Sequence, residues 1–153
     1  MQAKNYALWL LGKRAYTIKG LRDKLQNRQY PDTDIAATIK FCLDQRFLDD
    51  VEYAKNFIRA RDAIRPRGRR LLFFELIKKG VAKDDIEKAF ADEEIINRDE
   101  TELARETIRR KGRQYATLSR EVAYRRAFGA LARRGFNINT IKEVLDDYFN
   151  NKT

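Results

Sequence analysis

Apolar positions recur along this chain at one fixed spacing. From Leu76 they fall at Val81, Ile86 and Phe90, offsets of 0, 5, 10 and 14. From Leu131 the same offsets meet Phe136, Ile141 and Leu145, and from Leu25 they meet Tyr30, Ile35 and Ile39. A second pattern precedes each of these. Tyr6-Ala7, Tyr53-Ala54 and Leu103-Ala104 are each followed four residues after the Ala by Leu11, Ile58 or Ile108, and seven after it by Arg14, Arg61 or Lys111. Offsets of 0, 4 and 7 trace one face of an α-helix. The stretch between the two patterns varies, with 18, 22 and 27 residues from the Ala to the ruler Leu. Fixed patterns separated by variable joints mark a duplicated unit, so the chain reads as three repeats. Two matches are loose: Tyr30 replaces the Gly-Val and Gly-Phe of the other repeats, and Lys111 replaces Arg.

Each repeat predicts three helices, nine in all, and an all-α fold. In the second repeat Asp49 is the expected N-cap, with Glu52 completing a capping box, and the helix should run to about Ala63. Asn97 and Glu100 stand in the same relation in the third. The next helix should follow Pro66, from about Arg67 to Lys79. Gly80 then supplies the left-handed residue that ends a helix, as Gly135 does after Arg134. The third helices carry Ile86 and Phe90, or Ile141 and Leu145. Strand signals are nearly absent, with no sustained alternation of polar and apolar residues. Boundaries near Phe47-Leu48 and Ile96-Asn97 give units 1–48, 49–96 and 97–153, without Gly/Ser linkers, as one continuous repeat domain. Repeats stacked in series contact only their neighbours. The expected molecule is elongated and curved, with a radius of gyration above the roughly 15 Å of a compact globule of this length.

Charge then narrows the functional classes. The 153 residues carry 33 Lys and Arg against 23 Asp and Glu, a net charge of +10. Such an excess favours an anionic partner. Residues 1–48 hold 9 basic and 4 acidic residues, 49–96 hold 11 and 11, and 97–153 hold 13 and 8. The ends are basic and the middle is polarised. Arg59, Arg61, Arg65, Arg67, Arg69 and Arg70 cluster against a single Asp62, at the joint where the tip should project Arg65 and Arg67. The last unit adds Arg109, Arg110, Lys111 and Arg113, then Arg125, Arg126, Arg133 and Arg134. These form a second candidate contact region. Charge runs are commonly solvated helix faces. Arg at this density, however, suits bidentate contact with carboxylates or phosphates.

Catalytic chemistry finds little foothold. There is no His and a single Cys, which removes Cys/His nucleophile pairs, ordinary Zn sites and an internal disulfide framework. The seven Gly are isolated, so no phosphate loop is present. The pairs Asp49-Asp50, Asp84-Asp85 and Asp146-Asp147, and the run Asp92-Glu93-Glu94, could hold Mg²⁺ for a nuclease; the simpler reading is helix caps and solvated helix ends. Cys42 lies on an apolar helix face and reads as a small buried hydrophobe. Trp9 reads as core or inter-unit packing. Phe73 and Phe74 are adjacent and cannot share a face, so one should reach a neighbouring unit or a partner. The apolar patch near the N-terminus is too short for a signal or a membrane span. The reading is a cytoplasmic, non-enzymatic binding module without cofactor or metal.

At this point FLDDVEYAKNFIRAR, GRRLLFFELIKKGV, IEKAF and ALARRGFNINTIKEVL resemble the blocks of the RecX family of bacterial regulatory proteins, in the same order and over nearly the whole chain. Leu48-Asp49-Asp50, Ala54, Phe57, Gly68, Glu75-Leu76 and Lys79-Gly80 carry most of the likeness. Leu71 departs from it, standing where the family usually has Arg, and the IRPR before Gly68 is unusually Arg-rich. The resemblance implies three tandem three-helix units and a monomer that binds the RecA recombinase filament on single-stranded DNA. It implies inhibition by occupying the filament groove, with the basic faces meeting acidic filament surface and weakly touching the DNA backbone. The alternative reading is a sequence-independent DNA-binding helical-repeat protein acting without RecA.

Overall fold

The computed structural model describes residues 1–150. Among these, ten helices and no strand are present: α1 Ala3–Lys13, α2 Ile18–Asn27, α3 Asp32–Asp44, α4 Asp50–Ile64, α5 Arg69–Lys78, α6 Lys83–Ala91, α7 Glu100–Arg110, α8 Gly112–Ala116, α9 Arg120–Arg133 and α10 Ile138–Asn150. The helix beyond the expected nine is α8. It occupies the longest of the three variable joints, where 27 residues separate Ala104 from Leu131.

The repeated spacing is the core. Leu25, Leu76 and Leu131 are all fully buried, as are Ala7, Ala54 and Ala104, and Ile35, Ile86 and Ile141 are 4%, 0% and 0% exposed. The first helix of the first repeat rotates slightly, burying Leu10 and leaving Leu11 half-buried. Gly80 and Gly135 take φ of +93° and +81°, as the helix-ending turn requires. In the first repeat the equivalent residue is Gln29, with φ of 61°, so Tyr30 matches Val81 and Phe136 rather than replacing the Gly. Asp49 caps α4 by accepting from the Glu52 amide at 3.1 Å. The third-repeat cap is shifted: α7 starts at Glu100, and Asp99, not Asn97, accepts from the Glu102 amide at 3.1 Å.

The contacts divide the chain into two compact bodies. The first comprises Met1–Phe57 and Glu75–Ile95, the second Ile58–Phe74 and the chain from Ile96 on. In the first, α1, α2 and α3 pack on one another around Leu21, Leu25, Ile35, Ile39 and Cys42. In the second, α10 packs on α7 and α9 around Ile108, Leu131, Ile141, Val144 and Leu145. The middle repeat contributes to both, because the division falls inside α4 and α5.

Each body contains one joint between successive repeats, built twice to one plan. In the first, the Thr17 hydroxyl donates to the Lys79 carbonyl at the end of α5 (2.8 Å), and the Ile18 amide donates to the Asp50 carboxylate at the start of α4 (3.0 Å). In the second, the Gly68 amide donates to the Arg134 carbonyl at the end of α9 (2.7 Å), and the Arg69 amide donates to the Glu100 carboxylate at the start of α7. Leu25 and Leu76 fix the register, 51 residues apart; on it Thr17 matches Gly68 and Ile18 matches Arg69. The helix start of one repeat is thereby held by the next repeat. Helix ends leave unpaired amides and carbonyls, and each joint gives one such amide and one such carbonyl a partner in the neighbouring repeat.

Candidate partner-binding surface

The basic residues named above belong mostly to the second body. Arg59 and Arg61 are half-buried on α4, and Arg69 and Arg70 are exposed at the start of α5. The joint between those helices is not the open tip that the sequence suggested. Pro66 and Gly68 are buried and Arg67 is half-buried, which leaves Arg65 as its exposed cation.

Arg98 holds this joint, and the sequence reading missed it. Its side chain is 8% exposed. Its guanidinium donates to Asp62 (2.6 and 3.0 Å), to Glu100 (2.7 Å) and to the Arg67 carbonyl. Burial pulls its pKa down, but the hydrogen bonds and charges of Asp62 and Glu100 outweigh it, so the guanidinium is held above its ordinary value. The available signal was a lone Arg in NRDE among acidic residues, without any indication of what lay across from it.

Three helices end close together around this joint: α4 at Ile64, α7 at Arg110 and α9 at Arg133. The Arg110 guanidinium donates to the Ile64 carbonyl at 3.2 Å. Lys111 and Arg134 are the C-caps of α7 and α9. Helix C-termini favour cations, which explains why so many can gather here. They still repel. Burial lowers the Lys111 pKa from its ordinary value, and Arg134, Arg133 and Arg65 push it further the same way. Arg134 is lowered by burial first, then by Arg65, Arg67 and Arg110, against Tyr115 alone. Arg65, Arg67, Arg110, Lys111, Arg133 and Arg134 therefore form one cationic cluster. The two contact regions expected from the sequence are partly fused.

The other candidates lie outside that cluster's mutual influence or are engaged elsewhere. Arg109 pairs with Glu102 (2.6 Å) and Glu106 (3.0 Å) on its own helix. Arg113 is exposed on α8, and Arg125 and Arg126 are exposed on α9. Arg126 and Arg133, seven residues apart, share one face of α9 and extend the cluster along it.

The acidic pairs take structural positions. Asp49 is a cap and Asp50 receives the Ile18 amide. Asp84 and Asp85 lie in the first turn of α6. Asp92 pairs with Lys55 at 3.2 Å, Asp146 accepts from the Tyr124 hydroxyl at 3.1 Å, and Asp147 accepts from Arg105 at 3.2 Å. Among the described residues no three Cys, Asp or Glu converge as a metal-ion ligand set, and no helix is long and apolar enough to cross a membrane. Cys42 is fully buried, and burial pushes its thiol pKa up. Trp9 departs from its expected place in the packing: it is 52% exposed. Phe74 is likewise exposed at 54%, and Phe73 is half-buried.

Helices in triplets, joined by one recurring contact and carrying a concentrated basic surface, define a tandem three-helix-repeat protein. Models of the first, second and third three-helix domains of RecX match residues 3–42, 49–89 and 98–145. The chain belongs to the RecX family. It is 37% identical over 147 residues to the regulatory protein RecX of Mycolicibacterium smegmatis, covering 94% of this chain and 78% of that one. It is 30% identical to that of Prosthecochloris aestuarii, over 98% of this chain and 95% of the relative. The fold resembles the crystal structure of RecX from Lactobacillus salivarius with a TM-score of 0.81 at 20% identity, over 95% of this chain and 93% of that one.

Proposed function

We propose that this protein regulates the RecA recombinase: it binds the RecA filament on single-stranded DNA, occupies the filament groove, and inhibits strand exchange and ATP hydrolysis. Membership of a family of regulatory proteins supports a regulatory role. The observation that carries the mode of binding is the cationic cluster centred on Arg65, Lys111, Arg133 and Arg134, whose mutual repulsion an anionic partner would relieve. The groups that act on Arg134 are cations and one phenol, so the chain itself supplies little to neutralise it. Arg guanidinium groups at such a site meet the carboxylates of an acidic protein surface or the DNA backbone in bidentate fashion. In this reading the three units, 1–48, 49–96 and 97–153, act as one cytoplasmic monomer without cofactor or catalytic step. Two contacts on one chain gain from effective concentration, which gives the repeats a purpose.

The test is RecA's DNA-dependent ATP hydrolysis and strand exchange at substoichiometric amounts of this protein. Replacing the exposed pair Arg65→Glu and Arg133→Glu together should weaken inhibition roughly tenfold at physiological salt, as loss of interfacial charge pairs does. The thermal melt should stay nearly unchanged, since exposed charges contribute little to stability. Undiminished inhibition by the double variant would remove the cluster from the interface. Absence of inhibition by the parent protein would remove RecA.

A further inference from the structure

The first helix carries an aromatic row that starts at the core and ends at the half-exposed Trp9. Its buried side is Ala3, Ala7 and Leu10. Tyr6, Trp9 and Lys13, spaced three and four residues apart, lie together on another side. The rings of Tyr6 and Trp9 are nearly parallel, 18° apart with centroids at 6.0 Å, and Tyr30 extends the row at 6.2 Å from Tyr6. The Tyr30 hydroxyl donates to the Met1 carbonyl at 2.9 Å, which fixes the end of the row. Two cations border it: the Lys13 amine lies 4.5 Å from the Trp9 ring centre, and the Arg28 guanidinium 4.4 Å from that of Tyr6.

We propose that this row is a stacking platform for single-stranded nucleic acid. Tyr6 and Tyr30 pack against the core and anchor the row, whereas Trp9 at its end is half-exposed and offers a base a flat π surface. Stacking on aromatic rings beside a positive groove is how proteins hold single strands without reading sequence. The net charge of this segment of the sequence favours the same ligand. Residues 1–30 contain seven basic side chains, Lys4, Lys13, Arg14, Lys19, Arg22, Lys24 and Arg28, against Asp23 alone. Asp23 is already engaged by Lys19 at 2.7 Å. On binding, a base takes the outer face of Trp9, and the Lys13 amine swings on its flexible stem from the ring to a phosphate. Arg28 does the same beside Tyr6. The cation–π contacts thus hold the cations beside the rings until a strand arrives. A protein segment is disfavoured as occupant, because the patch combines flat rings with cations.

Trp9 is the sole Trp of the chain, so its fluorescence reports this site alone. The experiment titrates the full-length protein, without RecA, with an oligothymidylate and with an abasic strand of the same length and charge. The oligothymidylate should quench Trp9 saturably and bind more tightly than the abasic strand. Trp9→Ala, followed by anisotropy of a labelled oligothymidylate, should weaken binding roughly tenfold, the loss of one base–aromatic stack. Trp9→Phe should restore most of it, and Lys13→Ala should flatten the salt dependence of binding. Equal binding of the two strands, or unchanged binding by a folded Trp9→Ala variant, would overturn the platform. A Trp9 signal that appears only when RecA is added would assign the face to a protein contact instead. Because RecA is absent from the main titration, failure here leaves the proposed regulation of RecA standing, and failure there leaves this site standing.

Discussion

The two joints between repeats share a plan and differ in how they carry it out. At the first, a side chain makes the contact: Thr17 reaches the Lys79 carbonyl through its hydroxyl, and the same oxygen accepts from the Gly20 amide at 2.9 Å, capping α2. At the second, Gly68 reaches the Arg134 carbonyl with its own amide, and the two backbones touch. A Cβ on Gly68 would stand 2.0 Å from the Gly135 carbonyl oxygen. The acids differ as well. Glu100 in the second joint is neutralised by Arg98 at 2.7 Å. Asp50 in the first is 7% exposed and has acids as its charged neighbours, Asp85 and Asp49. One geometry therefore rests on a hydroxyl and an uncompensated acid in one place, and on close backbone approach and a buried ion pair in the other.

The largest expected effect comes from removing that ion pair. Arg98→Ala leaves Asp62 and Glu100 partly buried without their cation and frees the Arg67 carbonyl. The cost should be about 3 kcal/mol, seen as a lowered denaturant midpoint. A loss below ~1 kcal/mol would show the second joint to rest on backbone contact alone. Next is Gly68→Ala against Thr17→Val. The alanine methyl meets backbone that cannot swing aside, so a loss of about 2–3 kcal/mol is expected. Thr17→Val removes a cap and a buried hydrogen bond but fits the space, at about 1–2 kcal/mol. Equal losses would erase the distinction between the two joints. The smallest effect is in pH. Burial, then repulsion from Asp85 and Asp49, holds the Asp50 pKa above its ordinary value despite the hydrogen bond from Ile18. The folded state thus binds this proton more tightly than the unfolded state. Its contribution favours folding below the usual carboxylate pKa and is lost as pH rises through the raised one. Asp50→Asn keeps an acceptor for the Ile18 amide and removes the charge. The variant should match or exceed the parent's stability at pH 7 and lose that part of the pH slope, as read by urea titrations at pH 4, 5, 6 and 7.

What the sequence made legible is what depends on neighbours along the chain. The recurring spacing located Leu25, Leu76 and Leu131, and Ile35, Ile86 and Ile141, because a helix, a turn and the next helix bury their apolar residues at distances fixed by helix geometry. Gly80 and Gly135 were legible for the same reason. Asp99 was missed as a cap because Asn97 offered an equally good local pattern two residues earlier. The cationic cluster was legible as composition and not as a place. Arg65 and Arg134 are 69 residues apart in sequence, and the meeting of three helix ends is a tertiary fact. Trp9 was misplaced because the helix buries Ala3, Ala7 and Leu10, a face narrower than the apolar patch around it suggests.

The helix-ending glycine turn also decides which helix starts a neighbouring repeat docks on. At Gly80 and Gly135 the turn works as a plug, pressed against Lys19 and Leu71 at the helix start of the repeat before it, where an added Cβ would come within 2.5 Å. In the first repeat Gln29, a residue with a Cβ, takes the left-handed turn. The matching socket in the third repeat is closed. By the register of Leu76 and Leu131, the helix equivalent to α5 would begin at Tyr124, but α9 starts four residues earlier at Arg120. The Ala123 amide, counterpart of the one that Gly68 offers, is spent inside that extra turn on the Ser119 carbonyl at 2.8 Å. A glycine turn thus docks on the helix starts of the first and second repeats, whereas the matching amide at the start of α9 is already engaged within its own helix.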